Sequence, residues 1–129
     1  DLDKALEWCK VNNLSPITVL GTSQLREDHT IGNLMLLANY SDELDINFVT
    51  DYFTITCHHG KRSFTSFKQQ LVSILPVEDI QSITTEGLEF PLTDEPLPPS
   101  SRGISNRATG HQFIITSSRK IWVFRSHSD

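Results

Sequence analysis

Cysteine is scarce in this sequence: the 129 residues contain two, Cys9 and Cys57, with no CxxC spacing. That density argues against a disulfide scaffold and leads us to expect a reducing, cytoplasmic setting. Long apolar runs are also missing. The longest, such as residues 34–38, fall far short of the roughly 20 residues of a membrane-spanning helix, so no membrane partner is expected. Nor is there any basic excess. Eleven Lys and Arg face 16 Asp and Glu, for a net charge of −5 and a pI near 5.4, which argues against nucleic acid as the main partner. No GxGxxG, P-loop or GxSxG motif occurs, and no nucleophile triad can be assembled.

What is present is a globular composition, 37% hydrophobic and 21% charged, with an uneven distribution of charge. Residues 1–50 hold eight acids and three bases, whereas residues 51–129 hold eight of each, so the net charge lies in the first part. An acidic region is compatible with Mg²⁺ or a cationic substrate; a solvated acidic surface is the plainer meaning.

The pattern along the chain divides at the same place. Leu2, Ala5, Leu6 and Cys9 recur at helical spacing, with Asp1 and Asp3 in the first turn, where the helix dipole favours acids. Residues 17–20 and 46–49 read as strands, and Ile31, Leu34, Met35 and Ala38 mark a helix between them. Helix, strand, helix, strand predicts a parallel α/β layer, and two strands cannot close one, so more of this layer is expected upstream of Asp1. After residue 50 the texture becomes β. The spacing predicts a hairpin from 52–57 and 63–65 about a His59-Gly60-Lys61 turn, then strands at 70–75, 80–85, 112–116 and 121–124. Pro91, Pro96, Pro98 and Pro99 make residues 91–101 an irregular crossing. The expected fold class is α/β plus all-β, with a partial parallel α/β layer over residues 1–50 and an antiparallel β-sandwich over 51–129.

Several groups could carry chemistry. Arg26-Glu27-Asp28-His29-Thr30 follows the first strand, where open α/β sheets place ligands. Arg26 can neutralise phosphate oxygens with its planar fork, and Asp28 can hold Mg²⁺ or a hydroxyl; Asp28 as the N-cap of the following helix is the structural alternative. Cys57-His58-His59 offers soft-metal ligand types, but consecutive strand residues point to opposite faces. Ser105-Asn106 and Thr84-Thr85-Glu86-Gly87 are hydrogen-bonding loop residues whose default role is turn formation. Phe90 and Trp122 can be core residues or can stack on a flat ligand.

Taken in order, five stretches resemble thiamine pyrophosphokinase. They are Asp1-Leu2-Asp3-Lys4-Ala5-Leu6-Glu7-Trp8, Ile17-Thr18-Val19-Leu20-Gly21, Arg26-Glu27-Asp28-His29-Thr30-Ile31-Gly32-Asn33, Ser82-Ile83-Thr84-Thr85-Glu86-Gly87-Leu88-Glu89-Phe90-Pro91-Leu92 and Gly103-Ile104-Ser105-Asn106. The resemblance implies an α/β nucleotide-binding domain for ATP and Mg²⁺, and a carboxy-terminal β-sandwich that helps form the thiamine site across a homodimer. The reaction implied is transfer of the pyrophosphoryl group of ATP to the hydroxyl of thiamine, releasing AMP. By position, Asp1 corresponds to an acid at the junction of the metal and thiamine sites, and Arg26 and Asp28 to the Arg-x-Asp pair beside ATP. Ser105 and Asn106 correspond to the thiamine-side loop, and Phe90 to an aromatic near thiamine. The family's Gly-Asp-Phe-Asp-Ser segment is expected upstream of Asp1, and Gln24-Leu25 stands where the family has a glycine pair. The alternative reading is a non-catalytic thiamine-binding or dimerisation module.

Overall fold

The structure of the chain, a computed structural model, describes residues 2–21 and 26–128. Helix α1 spans Leu2–Val11 and buries Leu6, one of the apolar residues that recur along its inner side. Strand β1, Ile17–Leu20, runs parallel to β2, Ile46–Val49, and helix α2, Glu27–Tyr40, joins them. No helix among the described residues is long and apolar enough to cross a membrane.

From β2 onward every pairing is antiparallel. Phe48 of β2 opposes Ile55 of β3, Phe53–Thr65, so the sheet runs without interruption through the residue-50 boundary. The remaining strands are β4 (Leu71–Pro76), β5 (Ile80–Glu86), β6 (Glu95–Leu97), β7 (Asn106–Arg107) and β8 (Gln112–Ser126). The described residues are therefore mostly β, in one mixed sheet with two helices.

Two expectations need correction. The hairpin predicted about Gly60 is a single 13-residue strand, β3, whose register with β8 shifts between His58 and Gly60. Gly60 has the left-handed φ of +76° that a tight turn would also use; here it serves a bulge. Likewise, the strands expected at 112–116 and 121–124 are one strand, β8, paired with β3 along both halves.

This long bent pair creates the sandwich. Beyond β3, the other edge of β8 is shared: β4 pairs with residues 121–125 and β5 with residues 114–117. The two half-sheets fold onto a common core in which Phe64, Phe113 and Ile115 meet Val72, Ile74, Ile121 and Val123. The outer face of the β4 half carries Ile55, Cys57 and Trp122 against Leu6, Leu37 and Ala38 of the helices. Trp122 is thus core, and its indole N–H donates to the Leu34 carbonyl at 2.9 Å.

Candidate functional site

The first group of site residues sits beyond the carboxyl ends of the parallel strands. Arg26 occupies the N-cap position of α2 with extended dihedrals and no side-chain cap. Asp28 is therefore not the cap: the helix begins at Glu27, one residue before it, and Asp28 lies in its first turn. Its carboxylate accepts from Arg26 Nη2 at 2.7 Å and Nε at 3.2 Å, and from the His29 backbone N–H at 2.9 Å. The Arg26 fork, with help from the His29 N–H, holds Asp28 below the usual carboxylate range. Both side chains are about two-thirds exposed, so this is a pre-set but solvated pair.

The third expected member, Asp1, lies outside the described residues, as do Gln24 and Leu25. Among the described residues no cluster of three or more His, Cys, Asp and Glu could hold a metal ion. With both oxygens of Asp28 closed on Arg26, the described residues do not fit a Mg²⁺ ligand set. Cys57 packs toward the helices while His58 faces the opposite side, so the soft-metal reading of that triplet finds no support.

The second group forms a pocket. Two segments lie side by side, residues 87–92 after β5 and residues 102–106, which lead into β7, over the floor provided by Ile74 of β4. Together they enclose about 190 Å³. Asn106, 8% exposed, fixes one loop to the other. Its Oδ1 accepts from the Phe90 N–H at 3.0 Å, and its Nδ2 donates to the Phe90 carbonyl at 2.8 Å. The same Oδ1 accepts from the Arg107 N–H at 2.9 Å. Phe90 is held by its backbone while 65% of the residue stays exposed, so an aromatic face is presented to solvent.

Neighbouring residues complete the frame. Thr85 Oγ1 accepts from the Leu92 N–H at 2.9 Å, and Thr84 Oγ1 from the Asp94 N–H at 2.9 Å, so these threonines shape the turn. Ser105 is exposed with a left-handed φ of +65°, and its N–H donates to Ser73 Oγ at 3.0 Å. Gly103 lies flat on β4, its carbonyl accepting from the Ile74 N–H at 2.8 Å. A Cβ at Gly103 would collide with the Ile74 carbonyl oxygen. Arg102 puts a cation on the wall, but Glu95 pairs with it.

The structure therefore joins Phe90 and Asn106 in one wall with Ser105 beside them, and joins Arg26 to Asp28 elsewhere. The two groups share no hydrogen bond or ion pair among the described residues. Sequence reasoning did not single out Arg102 with its partner Glu95. No local signal marks that pair, because the partners lie seven positions apart, Glu95 on β6 and Arg102 in the loop after it.

Residues 53–122 match the model of the thiamin pyrophosphokinase, vitamin B1 binding domain family, which spans more than half of the chain and frames this pocket. The chain belongs to this family. Comparison with curated protein sequences found no match. Among solved structures, the vitamin B1 binding domain and its flanking helices are similar to a thiamin pyrophosphokinase from Geobacillus thermodenitrificans. That match has 28% identity and a TM-score of 0.86, covering 100% of this chain and 61% of that one. A thiamine pyrophosphokinase from Bacillus subtilis shares the fold at 24% identity and TM-score 0.88, covering 98% of this chain and 62% of that one. One from Candida albicans shares it at 18% identity and TM-score 0.79, covering 95% and 50%. The chain thus spans less than two-thirds of the length of each of these relatives.

Proposed function

We propose that this chain binds thiamine in the Phe90–Asn106 pocket as part of a thiamine diphosphokinase, which transfers the pyrophosphoryl group of ATP to the thiamine hydroxyl and releases AMP. The observation that carries this reading is the exposed Phe90 ring, fixed by Asn106 inside the stretch that matches the vitamin B1 binding domain. The thiazolium of thiamine is a flat cation, and an aromatic face attracts such a group. Arg102, which would repel it, is neutralised by Glu95. The Ser105 hydroxyl is the polar group we assign to the ligand's ring edge.

Residues 51–129 act in this reading as the thiamine-binding and dimerisation part, and residues 1–50 as part of a parallel α/β nucleotide-binding layer. Transfer of a phosphoryl-type group depends on positioning and charge neutralisation more than on a covalent nucleophile. Arg26 is the residue we assign to the phosphate oxygens of ATP, with Asp28 orienting its fork. Asp1 keeps its assignment as a catalytic and metal-binding acid by resemblance alone. Mg²⁺ would offset phosphate charge, but no ligand among the described residues is assigned to it.

A second copy of the chain completes the site in this proposal. A volume of about 190 Å³ falls below the roughly 300–1,000 Å³ of small-molecule pockets, and the Phe90 face is open on one side. We place the protein in the cytoplasm, in keeping with the free thiols Cys9 and Cys57. The test is AMP release from ATP, dependent on thiamine and Mg²⁺, by the full-length protein. Thiamine-dependent AMP supports the reading. Thiamine binding without turnover would leave a non-catalytic binding module, and the absence of both thiamine binding and turnover would overturn the reading.

A further inference from the structure

Four buried side-chain polar atoms have no hydrogen-bond partner among the described residues: Thr56 Oγ1, His58 Nδ1, Gln70 Oε1 and Arg125 Nε. Three of them share one face of the sheet. Thr56 pairs with Val123 and His58 with Ile121, and both partners belong to the core between the half-sheets. Thr56 and His58 therefore face that interior, as does Arg125, two residues beyond Val123 on the same strand. Gln70, two residues before Val72, the β4 partner of Arg125, stands beyond Arg125 and away from His58.

Phe64 faces this seam from the other half-sheet. The guanidinium carbons of Arg62 and Arg125 each lie 5.0 Å from its ring centroid, and the His58 ring lies 5.7 Å away. No carboxylate pairs with either arginine among the described residues. Burial, with the Arg62 charge, pushes Arg125 down, and burial pushes His58 down to about 4. Two cations around one ring repel each other, and contact with the ring face offsets only part of that cost. An unsatisfied buried donor adds to it.

Arg62 and His58 also line an open pocket of about 390 Å³ beside the β3 bulge. Two of its three acids are already engaged, Asp42 by Lys120 at 2.9 Å and Glu43 by Lys10 at 2.7 Å. The hydrogen-bond demands of the seam define the ligand. Arg62 and Arg125 need an acceptor with negative charge. The Nε2 of His58 lies 3.4 Å from the Ile115 carbonyl, which can only accept, so Nε2 carries the proton and Nδ1 is a bare acceptor. An anion that also carries an O–H satisfies both kinds of group; hydrogen phosphate has one, whereas sulfate and chloride do not.

We propose that the seam between Arg62 and Arg125 binds inorganic hydrogen phosphate, with the guanidinium groups holding its oxygens and His58 Nδ1 accepting from its O–H. The site shares no residue with the thiamine pocket and does not depend on that reading.

The test is a calorimetric titration of the full chain near neutral pH with sodium phosphate, and with sodium sulfate at matched ionic strength. Phosphate is expected to bind saturably, and sulfate roughly tenfold more weakly, the worth of about one buried hydrogen bond. Arg62→Gln should weaken phosphate by roughly tenfold or more, and Arg62→Lys, which keeps the charge but loses the fork, by less. No saturable phosphate heat, equal affinity for sulfate, or an unchanged affinity in Arg62→Gln would each overturn the proposal. Should Arg62→Gln fail to fold by circular dichroism, the wild-type phosphate–sulfate contrast and Arg62→Lys decide it.

Discussion

Asn106 grips Phe90 by both of its backbone polar groups, accepting from the N–H at 3.0 Å and donating to the carbonyl at 2.8 Å. A side-chain amide thereby replaces the backbone partner that a regular strand would have provided. The consequence is an aromatic ring held in place without being buried.

Asn106→Ala removes that grip and leaves two backbone groups of Phe90 without their partner. The expected loss of stability is about 1–3 kcal/mol, read as a lower urea midpoint with an unchanged slope. Thiamine affinity should fall in the same variant, because the ring is no longer fixed. An unchanged midpoint would show that water replaces the amide at no cost.

Phe90→Ala should separate binding from stability. The ring is 65% exposed, so its removal should change stability by less than about 0.5 kcal/mol. Thiamine affinity should drop roughly five- to thirtyfold, the worth of a partly desolvated cation–π contact, and Phe90→Trp should preserve it. Calorimetry with thiamine on the two variants measures both effects.

Gly103→Ala probes the close approach of the pocket loop to β4. A Cβ there meets the Ile74 carbonyl oxygen, a backbone atom that cannot swing away. The loop must lift, at a cost of about 1–3 kcal/mol, and the pocket floor moves with it. Thermal denaturation should show a lower Tm, and thiamine binding should weaken in parallel.

Stability should also depend on pH through His58. Burial holds its folded value at about 4, below the ordinary 6.5, so the unfolded chain binds more protons between these two values. The stability from keeping His58 neutral is complete above pH 6.5 and is lost as pH falls towards 4. Its full size is about 3 kcal/mol. Beside burial, Arg62 and His59 are the charged or titratable groups that oppose its protonation, while the Ile115 carbonyl favours it. Urea midpoints between pH 7.5 and pH 4.5 should fall less for His58→Gln than for the wild type.

Much of the local structure was legible because it rests on local patterns. The four-residue strands at 17–20 and 46–49 stand where apolar β-formers are bounded by turn residues. The first helix follows the spacing of Leu2, Leu6 and Cys9. The Gly60 bend was misread because a left-handed glycine serves a turn and a bulge equally; the choice is made by β8, more than fifty residues away. Asp28 was open to a capping role because Asp is a strong N-cap residue, yet Arg26 takes that position and turns its fork onto the carboxylate instead. Phe90, Ser105 and Asn106 were nameable through resemblance, but the bond between Phe90 and Asn106 spans sixteen residues and no periodicity encodes it. The same holds for Arg62 and Arg125, which only the fold brings to one ring.

The central claim is that thiamine is held against Phe90 by the loop that carries Asn106. It is tested most directly by titrating the isotope-labelled chain with thiamine and following backbone amide resonances. The account predicts saturable shifts concentrated at Phe90, Ile104, Ser105 and Asn106, with Arg62 and His58 unmoved. Shifts absent at saturating thiamine, or confined to residues away from that pocket, would contradict it.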